Sequence, residues 1–218
     1  MRFAVADYPT YVFDCDGVIL DSNSLKSEAF RALASPFGAA AADALLEYHH
    51  RHGGVSRQQK LAWFLDSVLG LRGTERELLE ARMLGDFGRI CSERLADCPT
   101  VPGVEAFLRS LPRAARAFVV SGGAQSEVEA ALQARDLARH FVSILGNPSS
   151  KRQNMQQLRA AGLFARGGLY FGDAELDMEL AGEFALDFVL VYGVSEWRDG
   201  CERCPHRQVA DFTELQAA

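Results

Sequence analysis

Short apolar runs alternate with helical patterns along this chain, and that alternation constrains the fold more than any other feature. The runs cover 11–13, 117–120, 141–145, 169–171 and 188–192. They are rich in β-branched and aromatic residues and are bounded by Gly, Asp or Ser, which is typical of buried strands. Between them, 125–141 and 151–162 have helical spacing, and Gly162 is a C-terminal cap of the second. The alternation predicts an α/β fold, a Rossmann-like doubly wound parallel sheet with helices on both faces.

A long interval of helical patterns separates the first predicted strand from the second. Ser56 is placed to cap a helix, and Thr74 with Glu77 fits a capping box. The segment 98–107 contains two prolines and a glycine and is interpreted as a return linker. These features predict an inserted α-helical domain at 22–98 and an α/β core domain made of 1–21 and 99–218; the family resemblance given below implies that the insert is a cap domain.

Charge and composition exclude several classes of function. The formal net charge is −6, from 23 Lys and Arg against 29 Asp and Glu, which argues against a general nucleic-acid partner. The chain has no apolar run near the roughly 20 residues that span a bilayer, and no signal-peptide pattern, so we expect no membrane partner. Five scattered cysteines indicate reduced thiols in a cytoplasmic protein.

Polar residues follow four of the predicted strands. Asp14 and Asp16 come after the first, Ser121 after the second, Lys151 beyond the third and Asp173 after the fourth. In an open parallel sheet, ligands bind at the carboxyl ends of the strands. We therefore expect these side chains to converge on one edge of the sheet.

The residue types at that edge indicate a phosphoryl-binding site. Converging carboxylates would raise each other's pKa unless a cation lay among them. Mg²⁺ suits such a place because it binds one or two carboxylates together with substrate phosphate oxygens. Lys151 adds a second positive charge, and Ser121 with the backbone amides of Gly122 and Gly123 adds hydrogen-bond donors.

Four motifs resemble those of the haloacid dehalogenase superfamily, in its phosphatase branch with a helical cap. "DCDGVILDS" at 14–22 resembles D-x-D-G-x-x-x-D-S, and "VVSGG" at 119–123 resembles the second motif. "GNPSSK" at 146–151 resembles the third, and "GDAELDMELA" at 172–181 resembles G-D-x-x-x-D. All four occur in order, each after a predicted strand. The chain is similar to the phosphoglycolate phosphatase-like and β-phosphoglucomutase-like groups.

The resemblance implies roles for the catalytic residues. Asp14 would be the nucleophile that forms an aspartyl-phosphate, and Asp16 the general acid and base. Ser121 and Lys151 would hold the phosphoryl oxygens. The implied activity is that of a phosphoric monoester hydrolase acting on a small phosphorylated metabolite.

The resemblance also implies a Mg²⁺ cofactor. Asp14, the backbone carbonyl of Asp16, and Asp173 would be its ligands. Asp177, one helical turn after Asp173, would support them. The sequence leaves open whether the protein is a monomer or a homodimer.

The predicted cap contains further substrate-binding candidates. Arg57 falls on the first turn of a predicted helix, where anions bind well and it could clamp a carboxylate or second phosphate of the substrate, and Lys60 falls one turn later. Lys26 and the Gly122 amide are further candidates. "GVSR" at 54–57 resembles the cap of β-phosphoglucomutase, which makes a phosphosugar mutase the alternative. Lys26 stands where the mutase pattern has a histidine, and this difference favours a hydrolase. A sugar phosphate or a phosphoglycolate-like compound is the expected substrate, and a non-catalytic binding module is the third alternative.

Two groups of side chains invite a metal-site interpretation that the sequence does not support. The cluster of His49, His50 and His52 is more typical of a polar surface. Cys201, Cys204 and His206 would provide only part of a zinc site, because four ligands are needed.

Overall fold

The computed structural model describes residues 8–164 and 167–215, and a six-stranded parallel sheet forms its centre. The strands lie in the order β3-β2-β1-β4-β5-β6. Their bounds are β1 Thr10–Phe13, β2 Arg116–Ala124, β3 Ser143–Asn147, β4 Leu169–Gly172, β5 Asp187–Val191 and β6 Arg207–Val209. This doubly wound arrangement confirms the predicted fold class.

The central strand β1 is buried on both faces. Val12 pairs with Phe118 of β2 and with Tyr170 of β4. Because side chains alternate along a strand, Phe13 packs in one hydrophobic cluster and Val12 in the other. The ring of Phe13 stacks on that of Phe171 with 5.0 Å between centroids. The chain that leaves β1 therefore starts from a fixed position at the middle of the carboxyl edge.

Five of the nine helices in the described part of the chain lie between β1 and β2, and four of them fall within 23–95. These four are α1 Asn23–Ala34, α2 Ala39–Arg51, α3 Arg57–Trp63 and α4 Gly73–Leu95. The remaining helices are α5 Val104–Ser110, α6 Gln125–Gln133, α7 Lys151–Ala160, α8 Glu175–Glu183 and α9 Gly200–Arg203. No helix among the described residues is long and apolar enough to cross a membrane.

The two predicted helix starts in the 23–95 region have different outcomes. Ser56 is the N-cap of α3, as predicted, and its hydroxyl accepts a hydrogen bond from the Gln59 amide at 3.4 Å. The capping box of Thr74 and Glu77 is wrong. Helix α4 already begins at Gly73, so Thr74 lies inside the helix, where its hydroxyl cannot cap the N-terminus.

Three other segments differ from the sequence-based expectation. The predicted helix at 125–141 ends at Gln133, because Asp136 adopts a left-handed conformation with φ of 56°. The chain after it forms only a 3-10 turn at Ala138–His140, and β3 starts at Ser143 rather than 141. The predicted linker contains the start of α5. Strand β6 was not predicted, because it is three residues long and only Val209 is buried.

Candidate active site

Asp14 is the first residue after β1, and the sheet fixes its backbone. Its amide donates to the carbonyl of Phe171 at 2.9 Å, and its Oδ1 accepts from the amide of Cys15 at 2.6 Å. Its other oxygen, Oδ2, lies 2.8 Å from Lys151 Nζ. Asp14 is 3% exposed, so this carboxylate and ammonium form a buried ion pair.

Lys151 is held between two buried carboxylates. A capping box of Ser150 and Gln153 starts α7 and places Lys151 at its first position. Its Nζ donates to Asp177 Oδ1 at 2.6 Å, and the hydroxyl of Tyr170 donates to the same oxygen at 2.9 Å. The second oxygen of Asp177 is buried without a hydrogen-bond partner.

Three carboxylates form the one cluster of possible metal ligands among the described residues. One oxygen each of Asp14, Asp173 and Asp177 lies within 4.8 Å of the others, and all three residues are buried. Asp173 is oriented by Asn23, whose Nδ2 donates to its Oδ2 at 2.6 Å. An oxygen-only donor set with an unpaired buried oxygen on Asp177 fits a hard divalent cation such as Mg²⁺.

Burial and mutual repulsion perturb the acid strength of this cluster. Desolvation, opposed by Lys151 and reinforced by Asp177 and Asp16, raises the pKa of Asp14 to about 7. Desolvation, with the charges of Asp14 and Asp177, raises the pKa of Asp173 well above its usual range. Burial works to lower the pKa of Lys151, but Asp14 and Asp177 more than offset it and the pKa is raised.

Asp16 lies beside the cluster but has different partners. Its Oδ1 accepts from the Ser22 hydroxyl at 2.6 Å, and its Oδ2 forms an ion pair with Lys26. Burial acts to raise the pKa of Asp16, yet Lys26 and Ser22 outweigh it and the pKa is lowered. The structure therefore places Lys26 on Asp16, where the sequence predicted a contact with substrate.

The end of β2 contributes Ser121 and Gly122, since the strand continues past the predicted 117–120 to Ala124. Ser121 is buried, and its Oγ accepts from the Gly123 amide at 2.9 Å. A Cβ atom on Gly122 would lie 2.4 Å from the carbonyl oxygen of Gly54, so only glycine fits there. The turn between α2 and α3 thus rests directly on the end of β2.

A cleft of about 820 Å³, open solvent included, lies between this turn and the carboxylate cluster. Arg57 lines the cleft, but its guanidinium makes two hydrogen bonds to Glu127 of α6, at 2.7 and 3.1 Å. It also lies over the ring of Phe87, 5.1 Å from the centroid. The charge of Arg57 is therefore already balanced by a carboxylate from the other side of the cleft.

Lys60 also lines the cleft and is 3% exposed. Its Nζ lies 2.6 Å from Nδ1 of His49 and 3.5 Å from the carbonyl oxygen of His49. Desolvation, reinforced by the charges of Lys26 and Lys151, lowers the pKa of Lys60 to about 7. The three lysines of the sequence, 26, 60 and 151, thus all lie in this one site.

The histidine cluster is not the polar surface that the sequence predicted. His49 is buried, and His50 and His52 are half-buried. The Nε2 atoms of His49 and His50 lie 3.5 and 3.7 Å from Glu196 Oε2. Both oxygens of Glu196 accept from the Ser27 hydroxyl, at 2.7 and 2.8 Å.

The cysteine group at 201–206 does not form a metal site. Cys204 is buried while Cys201 and His206 are exposed, and these three do not bring their ligand atoms together within the described residues.

Several residues that the structure brings into the site were missed in the sequence. They are Asn23, Glu127, Tyr170 and Glu196, together with Ser195, whose hydroxyl donates to the carbonyl of Asp173 at 2.5 Å. Asn23 directly follows the first motif, and Glu196 lies just beyond the fifth predicted strand. These positions next to motifs and strand ends are the only signals that could have found them. Asp173 precedes the N-cap of α8, which is Ala174, so it does not cap that helix.

The sheet and site define the class of this protein: an α/β enzyme fold with its chemistry at the carboxyl edge of a parallel sheet. A family model for haloacid dehalogenase-like hydrolase matches residues 8–184, and the chain belongs to that family of hydrolases. No curated protein matches the chain significantly in sequence.

Solved structures with the same fold include proteins of different activities. One from Haemophilus somnus is described as a predicted phosphoglycolate phosphatase, with a TM-score of 0.73, 18% identity and 96% of each chain covered. A β-phosphoglucomutase from Clostridium difficile has a TM-score of 0.75 and 16% identity, covering 95% of this chain and 93% of that one. A mutant of CbbY from Rhodobacter sphaeroides, in complex with xylulose-1,5-bisphosphate, has a TM-score of 0.73 and 18% identity. The match covers 95% of this chain and 96% of that one. At these identities the likeness shows the fold alone.

Proposed function

We propose that the protein is a Mg²⁺-dependent phosphatase that hydrolyses small phosphorylated metabolites through an aspartyl-phosphate. The observation that carries this proposal is the buried pair of Asp14 and Lys151, 2.8 Å apart at the end of the central strand. Asp173 and Asp177 stand beside it, and the cleft opens over it. The residues proposed as nucleophile, phosphoryl-binding cation and metal ligands are therefore neighbours, which supports the proposal.

Asp14 carries the first step of the reaction. Its Oδ1 is held by a backbone amide, which orients the carboxylate, and its ionised form is favoured by Lys151. An oxygen of Asp14 attacks phosphorus, and the ester oxygen of the substrate departs with the electron pair of the broken P–O bond. Lys151 and the Ser121 hydroxyl bind phosphoryl oxygens. Asp14, Asp173 and the carbonyl of Asp16, supported by Asp177, would hold Mg²⁺, which would supply charge stabilisation for the transferring phosphoryl group.

Asp16 carries the proton transfers. In the first step it donates a proton to the departing oxygen, and in the second it accepts a proton from the water that attacks the aspartyl-phosphate. The second role fits the ionised carboxylate directly. The first requires Lys26 to release Asp16 when substrate enters, because the pair keeps the pKa of Asp16 low.

The helical segment at 22–98 acts in this proposal as a cap domain over a core of 1–21 and 99–218. The close approach of Gly54 to both Gly122 and Lys151 excludes water from the phosphoryl site. Opening of this contact would admit substrate.

The proposal is tested by phosphate release from p-nitrophenyl phosphate and from a panel of sugar phosphates, with Mg²⁺ and with a chelator. Asp14→Asn keeps the shape of the site, and we expect it to reduce turnover by at least a thousandfold. The exposed Asp43 provides a matched control, since Asp43→Asn changes charge by the same amount far from the cleft. Full activity of Asp14→Asn would contradict the nucleophile assignment. Isomerisation of a sugar phosphate without phosphate release would support the mutase alternative instead, and metal binding without turnover would support a binding module.

A further inference from the structure

Lys60 differs from the other cations of the cleft in having no carboxylate partner. Lys26 pairs with Asp16, Arg57 with Glu127, and Lys151 with both Asp14 and Asp177. Across residues 8–164 and 167–215, no carboxylate forms an ion pair with Lys60. Glu196 and Asp16 act on its charge only at longer range.

The contact between Lys60 and His49 orients the ammonium group without neutralising it. When Lys60 is charged it has donors only, so Nδ1 of His49 accepts its hydrogen bond and the ring proton lies on Nε2. Burial, reinforced by the charge of Lys60, lowers the pKa of His49 to about 4, so the ring is neutral. Lys60 thus has an uncharged acceptor behind it and a donor left to bind a ligand in the cleft.

The charged form of a buried lysine without an anionic partner is costly for a folded protein, because transfer from water is not offset by an ion pair, and this cost lowers the pKa of Lys60. At Lys60 this cost occurs in a cleft that also contains the candidate nucleophile. Asp14 and Gly54 line the same space. A ligand that brings its own negative charge would remove the cost each time it binds.

We propose that Lys60 binds a second anionic group of the substrate, a carboxylate or a second phosphate, so that the enzyme selects phosphomonoesters that carry an additional negative charge. This inference rests on the proposed function, in which Asp14 and Lys151 hold the phosphoryl end. Arg57 does not take this role while Glu127 occupies its guanidinium. The structure therefore separates two residues that the sequence had grouped as equivalent.

The experiment compares pairs of substrates that differ by the second anion. Phosphoglycolate is paired with ethyl phosphate, and fructose 1,6-bisphosphate with fructose 6-phosphate. The preference is the kcat/KM of the compound with the second anion divided by the kcat/KM of its partner without it. For the preferred pair we expect Lys60→Gln to lower this preference by about tenfold or more, equal to about 1.4 kcal/mol. Lys60→Arg should keep part of the preference. The pair that responds identifies the anion as carboxylate or phosphate.

Arg89→Gln is the matched control, because it removes a positive charge from an exposed position of α4. It should leave the preference unchanged. The inference would be overturned if Lys60→Gln lowered kcat/KM equally for both members of each pair. It would also be overturned if the wild-type enzyme did not prefer the compound with the second anion. Circular dichroism reports whether the variants fold. If Lys60→Gln does not fold, Lys60→Met replaces it, because methionine keeps an unbranched apolar chain.

A binding measurement separates this inference from the proposed function. Calorimetry compares phosphonoacetate with ethylphosphonate, neither of which needs to be turned over. Tighter binding of phosphonoacetate that is lost in the Lys60 variant supports the inference for a carboxylate, and methylenediphosphonate tests a second phosphate in the same way. Equal binding of all three overturns it. If no phosphomonoester is hydrolysed, the proposed function fails while this titration still decides the role of Lys60.

Discussion

Removing Asp173 should stabilise the metal-free protein while abolishing activity. Asp173 lies in a buried cluster with Asp14 and Asp177, and one ammonium, Lys151, faces three carboxylates. The substitution Asp173→Asn removes one negative charge, keeps the shape of the side chain and retains an oxygen that can accept from Asn23. We expect the free energy of unfolding to rise in the presence of a chelator.

The size of the effect follows from the geometry. Two unit charges 4.8 Å apart, the upper limit for these oxygens, repel by about 3.5 kcal/mol at an effective dielectric constant near 20. Asp173 takes part in two such repulsions, with Asp14 and Asp177, and in one attraction to Lys151. The net repulsion on its charged form is therefore about 3 kcal/mol. Because the pKa of Asp173 is raised, protonation of its carboxylate already relieves part of this repulsion. A gain of about 2 kcal/mol, or about 4 to 8 °C in Tm, is expected for a chain of this size.

The measurement is thermal and denaturant unfolding of wild type and Asp173→Asn at pH 8 and pH 5. A carboxylate whose folded-state pKa is raised destabilises the folded state fully above that pKa, and the penalty shrinks as pH falls from there towards the ordinary carboxyl pKa, below which it is lost. The advantage of the variant should therefore shrink towards pH 5. Excess Mg²⁺ should reverse the order, because at 100 times Kd it adds about 2.7 kcal/mol to wild type alone.

Asp43→Asn is the control for a charge change at an exposed site, and it should show no such gain. A lower Tm for Asp173→Asn with chelator at pH 8 would refute the charge-repulsion argument. An advantage that does not depend on pH would point to packing instead.

Three further predictions concern the same cleft. Lys151→Met should destabilise the metal-free protein by about 3 kcal/mol or more in urea unfolding, because it leaves buried carboxylates without their cation; an unchanged midpoint would contradict the buried ion pair. A double-mutant cycle of Arg57→Ala and Glu127→Ala should give a coupling energy of about 1 to 2 kcal/mol, since both side chains are about 15% exposed and make two hydrogen bonds; additive effects would exclude the pairing. Gly122→Ala should reduce kcat by about tenfold or more without unfolding the protein. Its Cβ would collide with the Gly54 carbonyl and hold the turn between α2 and α3 away from β2. A wild-type kcat would show that this contact is not needed for turnover.

The sheet and the position of the site could be predicted from the sequence, for a physical reason. Strands buried on both faces are continuous apolar runs, and β1, β2, β4 and β5 have that character. The parallel arrangement then brings the residues after each strand, Asp14 and Asp173 among them, to one edge. The edge strand β6 has no continuous apolar run, so it was not predicted.

The partners of Arg57 and Lys60 could not be predicted in this way. Glu127 follows Arg57 by 70 residues and has the sequence context of an ordinary solvent-exposed glutamate on α6. Lys60 has the sequence context of a solvated lysine one turn into a helix, yet it is buried against His49. Burial of a charged side chain depends on how two distant segments pack, and no local pattern encodes that.

Because all three lysines lie in this one site, chemical modification of lysine side chains is specific for it. Amine-acylating reagents would find no lysine on the described outer surface, where arginine supplies the basic side chains, and Lys60 has the lowered pKa that makes an amine nucleophilic. A lysine-specific protease would likewise meet its cleavage sites only when the helical segment lifts or the chain unfolds. If the helical segment moves as proposed, acylation of Lys60 followed by mass spectrometry should report that movement, and bound substrate should slow the reaction.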